Sequence, residues 1–232
     1  MITLYDFKTE GAVGSASPFV LKIETFFRLA GLPYEKKRIA LPFGAPKKKL
    51  PYIDDDGETV CDSAFIIAHV GRKHGIDLDA SLPARALAIS HAFRKMTEES
   101  TYWTTVYARW IDEANWPKTR RVFFAKIPPP LKWIGPNAAR KAVRASLDGH
   151  GYGRHTQDEV YDIALQDVRA VEGQLAEAPY LMGSTATAVD ASIFGLYAQL
   201  AYGGIDSPHA DYVRSSRPLM AYCDRIRERC FE

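Results

Sequence analysis

Ser17-Pro18 and Asp62-Ser63 each place a hydroxyl or a carboxylate where a helix should begin. Serine is a favoured N-cap and proline suits the first helical position. A helix N-terminus also carries unpaired N–H donors and roughly half a positive charge. Either spot can therefore hold an anion, or the side chains can act simply as caps. Ser15 and Tyr5 offer two further hydroxyls near the first spot, although a strand aromatic such as Tyr5 usually belongs to the core. Zinc chemistry finds little support. Histidines 69, 74, 91, 150, 155 and 209 include no i,i+4 pair, and no Cys-x-x-Cys accompanies them. Cys61, Cys223 and Cys230 are too few and too scattered for a disulfide framework, and read as reduced, packed thiols. Neither a Gly-x-x-x-x-Gly-Lys-Ser/Thr phosphate loop nor a Gly-x-Ser-x-Gly elbow is present.

The elements that must position these residues alternate in type over the first 78 residues. Ile2–Phe7 is β-branched and aromatic and reads as a strand. After a loop with Gly11 and Gly14, Phe19, Ile23, Phe26, Phe27 and Ala30 recur at helical spacing until Gly31 and Pro33 end the run. Tyr34–Ile39 reads as a second strand. Leu50–Ile53 and Glu58–Cys61 flank an Asp-Asp-Asp-Gly turn and form a hairpin. The next helix turns Ile66, Ile67 and Val70 inward and closes at Gly75. The β-α-β half should pair in parallel through a right-handed crossover, and the hairpin should add antiparallel strands. From Pro83 onward the pattern is helical, beginning with one long helix from about Ala84 to Trp110. Thr156-x-x-Glu159 and Thr187-x-x-Asp190 resemble capping boxes. An α/β domain over 1–78 thus precedes an all-α domain over 84–232.

The chain has 232 residues, 47% hydrophobic and 25% charged, an ordinary globular composition. A net charge of +2 gives no whole-chain case for nucleic acid. Its apolar runs, such as Ala64–Val70, fall well short of the roughly 18 residues of a membrane span. The N-terminus lacks a basic n-region and a small-residue cleavage site, so a cytoplasmic protein is expected. Between Asn115 and Leu147 the charges are all basic: Lys118, Arg120, Arg121, Lys126, Lys132, Arg140, Lys141 and Arg144. That stretch, 118–144, reads as a solvated helical face, or as a surface for anionic lipid or an acidic partner.

The order β-α-β, β-β-α, then helices resembles the glutathione transferase superfamily, whose first domain is thioredoxin-like. Ser17-Pro18-Phe19 sits where that family places its catalytic residue. Lys49-Leu50-Pro51-Tyr52-Ile53 resembles its cis-proline segment, Asp62-Ser63 its acidic-Ser pair, and Gly183 with Thr187-Ala188-Val189-Asp190-Ala191 its C-terminal capping motif. Ser17–Glu35 and Gly151-Tyr152-Gly153-Arg154-His155-Thr156 are similar to the failed-axon-connections and metaxin-like branch.

The resemblance implies glutathione as cosubstrate, with Ser17 donating a hydrogen bond to its thiolate and Ser15 and Tyr5 as rivals. Phe19 and the Leu50–Pro51 backbone would flank the peptide, and a lysine such as Lys49 would meet its glycyl carboxylate. Asp62 would take its ammonium and Ser63 its other carboxylate. Tyr102, Trp103, Tyr107 and Arg154 would line a pocket for a small hydrophobic electrophile. A homodimer is expected, without nucleic acid or metal. The same fold in its metaxin-like relatives implies the alternative of a non-catalytic binding protein.

Overall fold

β1 (Ile2–Phe7) turns Ile2, Leu4 and Asp6 inward and Thr3, Tyr5 and Phe7 the other way, the alternation of a strand with one covered face. The computed structural model describes residues 1–7, 11–39, 45–125, 129, 131–175 and 178–232, and side chains at all of these but 131 and 132. β1 pairs in parallel with β2 (Tyr34–Ile39) and antiparallel with β3 (Tyr52–Asp55), which pairs with β4 (Glu58–Cys61). The sheet order is β2-β1-β3-β4. Asp56 and Gly57 make the hairpin turn with φ of 55° and 90°, as a two-residue type I′ turn requires. β3 begins at Tyr52, two residues later than the apolar pattern suggests. Pro51 has no N–H for the ladder, and the Leu50–Pro51 peptide bond is cis.

α1 (Pro18–Leu29) and α2 (Ser63–His74) lie on one face of this sheet. Val20, Ile23, Phe26, Phe27, Ile66 and Val70 pack there on Ile2, Leu4 and Ile53. Each such side chain contributes about 1.5–3 kcal/mol by leaving water. Gly75 ends α2 at φ 68°, a left-handed C-cap.

The remainder is helical, so the chain is an α/β layer followed by an all-α part, the expected fold class. α3 (Ala84–Met96) and α4 (Tyr102–Trp110) do not form one regular helix. A wider π-helical turn, Thr97–Thr101, joins them. The Thr104 and Thr105 hydroxyls both donate to the Thr101 carbonyl, at 2.9 and 2.8 Å, competing with the regular ladder. α5 (Trp116–Phe124), α6 (Leu131–His150), a short turn at Tyr152–Arg154 and α7 (Gln157–Gln174) follow. α8 (Ala188–Tyr202) runs through the core, flanked by α9 (Pro208–Ser215) and α10 (Arg217–Phe231).

Both capping-box acids do what their spacing implies. Glu159 accepts from Thr156 N at 2.8 Å. Asp190 is fully buried and accepts from Thr187 N, Leu181 N and Tyr222 OH at 2.7, 2.9 and 3.1 Å. α8 lies hard against the start of α1 because residue 195 is glycine. A Cβ there would stand 2.5 Å from the Pro18 carbonyl oxygen.

Candidate active site

Strand register brings the chemical residues to one end of the sheet. Tyr5 pairs with Tyr52 and Tyr52 with Cys61, so these three residues form a row across β1, β3 and β4. The chain leaves that row toward Ser17, enters it from Pro51 and leaves it again at Asp62. Asp62 N donates to the Pro51 carbonyl at 3.4 Å, joining the cis-proline segment to the start of α2.

The three hydroxyls that rival one another are separated by their partners. Ser15 is fully buried. Its hydroxyl donates to Asp6 Oδ1 at 2.6 Å and accepts from Ser17 N at 3.0 Å, so its proton is committed. Tyr5 lies on the uncovered face, stacked on Tyr52 with centroids 4.1 Å apart. Ser17 is the half-buried N-cap of α1 and accepts from Val20 N at 3.5 Å, a long contact. Its hydroxyl proton has no acceptor among the described residues, and a serine can donate while it accepts.

Asp62 caps α2, accepting from Ala64 N at 3.0 Å, with φ at 79°. A left-handed aspartate is uncommon, and such strain gathers at functional positions. Its side chain is exposed, whereas Ser63 is buried. Ser63 Oγ accepts from Lys22 Nζ at 3.0 Å, and Lys22 also donates to Glu98 Oε1 at 2.6 Å. Burial pushes the Lys22 ammonium below its usual range, while the adjoining Glu98 carboxylate raises it. Glu98, on the π-helical turn, also accepts from Ser192 of α8 at 3.0 Å. Nothing in the sequence pattern singled out Lys22 or Glu98, because a charge reads as surface until its partner is placed. Leu50 and Pro51 are buried, and Lys49 is exposed beside them.

The side chains expected to line an acceptor pocket divide over two faces of α4. Phe19 meets Tyr102 edge-on at 4.9 Å, and the void they border with Lys22, Glu98 and Ser192 holds only about 10 Å³. Trp103 packs on His150 at 4.6 Å and Tyr107 on Tyr161 at 6.2 Å, away from α1. Arg154 is 71% exposed and lies 3.8 Å from Asp148. The helical repeat explains the division: positions 103 and 107 share one face, while 102 and 109 share another. A cavity of about 90 Å³ opens beside that second face, bordered by Gly11, Ala16, Arg109, Val122, Phe123 and Gln199.

Parts of the basic stretch are structural. Lys118 pairs with Asp206 at 2.5 Å, and Arg140 donates to the Trp110 and Ile111 carbonyls, both at 2.8 Å. Lys126, Pro128 and Pro130 lie outside the described residues, as does the Lys132 side chain. Among the described residues no group of His, Cys, Asp and Glu is arranged to hold a metal ion, and no helix is long and apolar enough to cross a membrane.

Residues 18–115 match the glutathione S-transferase N-terminal domain, and residues 164–226 its C-terminal domain. The chain is 32% identical to an isoprene-epoxide–glutathione S-transferase of a Rhodococcus species, over 98% of each protein. It is 30% identical to Failed axon connections of Drosophila melanogaster over its whole length, though it spans only 58% of that protein. Human metaxin-2 matches at 26% over 99% of this chain and 89% of its own. Among solved structures, a glutathione transferase of Phanerochaete chrysosporium superposes with a TM-score of 0.69 at 16% identity, covering 100% of this chain and 98% of its own. A Ceriporiopsis subvermispora glutathione S-transferase in complex with glutathione superposes at 0.66, also at 16% identity, over 98% and 97%.

Proposed function

The chain belongs to the glutathione S-transferase superfamily, and from that premise we propose that it is an enzyme joining the glutathione thiol to an electrophile. The observation that carries this reading is the Ser17 hydroxyl, whose proton is uncommitted among the described residues, at the first turn of α1. A thiol of pKa near ~8.5 is held as thiolate there by the helix N-terminus and by one donated hydrogen bond. Asp62 takes the glutathione ammonium, and Ser63 with the N-terminus of α2 takes its γ-glutamyl-end carboxylate. The backbone at Leu50, ahead of cis Pro51, pairs with the cysteinyl unit as an added strand would, flanked by Phe19, and Lys49 meets the glycyl carboxylate. The thiolate sulfur then attacks an electrophilic carbon. For an epoxide, the S–C bond forms as the C–O bond breaks, and the resulting alkoxide takes a proton from water. The reading includes a homodimer in the cytoplasm.

The relatedness to Failed axon connections and metaxin-2 favours a second reading, a non-catalytic binding protein on the same fold. Ultraviolet titration of bound glutathione separates the two. The transferase reading expects ionisation near neutral pH and conjugation of small epoxides. Ser17→Ala should raise the thiol pKa by about one unit or more, since one donor to an anion is worth ~1.4 kcal/mol or above. Glutathione that stays a thiol at neutral pH in the wild type overturns the reading. An unchanged titration with a lowered melting point reduces Ser17 to a cap.

A further inference from the structure

Arg109 stands half-buried on α4 at the border of the 90 Å³ cavity. Its guanidinium donates to two neutral acceptors, the Ala16 carbonyl at 3.3 Å and Gln199 Oε1 at 3.2 Å. It also lies 5.9 Å from the Phe123 ring centroid. No carboxylate of the described residues pairs with it. The other cation bordering the cavity, Lys118, is matched by Asp206, just as buried Lys22 is matched by Glu98. A guanidinium offers five N–H donors, and a cation taken from water is ordinarily paired. Burial lowers its pKa to about 10, which leaves it charged at neutral pH. Among the described residues, Arg109 is thus a cation without a counter-ion, at the edge of an open space.

We infer that this cavity is an anion subsite, and that the electrophile of this chain is a small carboxylic acid whose carboxylate Arg109 holds. The second half of that inference rests on the transferase reading above. Ala16 supplies both an acceptor for Arg109 and part of the cavity border, and the next residue is Ser17. That puts the cavity border one residue along the chain from Ser17, whose hydroxyl the transferase reading assigns to the thiolate. A cavity of this volume is far smaller than the roughly 300–1,000 Å³ of ordinary ligand sites, so it encloses only the acid end of a short molecule. A short epoxy acid fits both demands. Its carboxylate sits on Arg109 by paired charge-assisted hydrogen bonds. Its epoxide carbon, one bond away, receives the sulfur, and the opened oxygen takes a proton from water to give a hydroxy-acid thioether.

Glycidate and glycidamide test this, because they share a size and an epoxide and differ in charge. The wild type should prefer glycidate in kcat/KM by about tenfold or more, the worth of one charge-assisted contact. Arg109→Met should bring the ratio toward parity, and Arg109→Lys should keep part of it. Val122 borders the same cavity at 44% exposure. Val122→Glu should cut the preference by supplying a counter-charge while Arg109 stays in place, which keeps the test sound if Arg109→Met fails to fold. Calorimetry with the two chemically prepared glutathione conjugates reads the same preference without turnover. Preference for the anionic conjugate with conjugation of neither epoxide would sustain the subsite and overturn the transferase reading. Equal affinity for the two conjugates, or a ratio that neither substitution moves, overturns the subsite. Binding of neither conjugate overturns both.

Discussion

Lys22 Nζ lies 3.0 Å from Ser63 Oγ and 2.6 Å from Glu98 Oε1, so one ammonium ties α1 to the start of α2 and to the helical part. It is 1% exposed, and Glu98 supplies its counter-charge. Ser63 accepts from Lys22 and donates to no acceptor among the described residues, so its proton is available to a ligand carboxylate. Lys22→Met should cost less in urea unfolding than the about 3–5 kcal/mol of a fully orphaned buried charge, since the Glu98 carboxylate then keeps Arg94 Nη1, at 3.3 Å, as its counter-charge. Adding Glu98→Gln should recover much of that stability. Glutathione affinity should stay weakened in the double variant, because Ser63 is no longer oriented. Affinity that returns together with stability would make the pair a scaffold only.

Asp62 has two separable duties. As a cap its Oδ1 accepts from Ala64 N, and as a charge it would meet the glutathione ammonium. Asp62→Asn keeps an acceptor and tolerates φ 79°, so its melting point should match the wild type. Its glutathione affinity should fall by about 1–3 kcal/mol, the loss expected for a charge-assisted bond. Asp62→Ala should lose both. Calorimetry showing equal affinity for wild type and Asp62→Asn would leave the residue only its cap.

Much of the frame could be read ahead of the structure. A β-branched and aromatic run marked β1, alternation marked β2, and capping spacing located the starts of α7 and α8. The π-helical turn could not be read that way, because Thr97–Thr101 fits the hydropathy of a continuous helix as well as that of a widened one. The site was legible only in part. Ser17, Pro51 and Asp62 announce themselves by type and place. The choice of Ser17 over Ser15 depends on Asp6, which binds the Ser15 proton only after β1 and the loop meet. Lys22, Glu98 and Arg109 are charges in helices, and hydropathy assigns them to the surface. Their inward placement depends on partners as distant as the 76 positions between Lys22 and Glu98.

The basic stretch invites a simple measurement. With Lys118 and Arg140 tied into the fold, the remaining cations form a thinner field than the composition suggests. Sedimentation with phosphatidylserine vesicles at low salt should show little more binding than with neutral vesicles. Strong binding that collapses as screening shortens to ~8 Å near physiological ionic strength would instead assign this face to anionic lipid.

His209 gives the fold a pH dependence of known sign. It is fully buried on α9, 5.8 Å from the Tyr161 ring centroid, and neither ring nitrogen has a hydrogen-bond partner among the described residues. Burial pushes its pKa down to about 4; Arg214 adds to the shift and Asp211 opposes it. The unfolded chain takes up that proton near pH ~6.5, so it binds more protons than the folded state as pH falls from there. The stabilisation is complete above about 6.5 and is lost progressively toward pH 4, by up to about 3 kcal/mol. His209→Leu removes the titration and the two unpartnered nitrogens together. Urea unfolding of both proteins across this window should show the variant at least as stable at neutral pH, with its advantage widening as pH drops. Buried Glu24 and Asp190, whose pKa values are raised by burial, titrate with the opposite sign, but they do so in both proteins and cancel in the difference. A difference that stays flat from neutral pH to about 4 would mean that His209 gains its proton without opening the core.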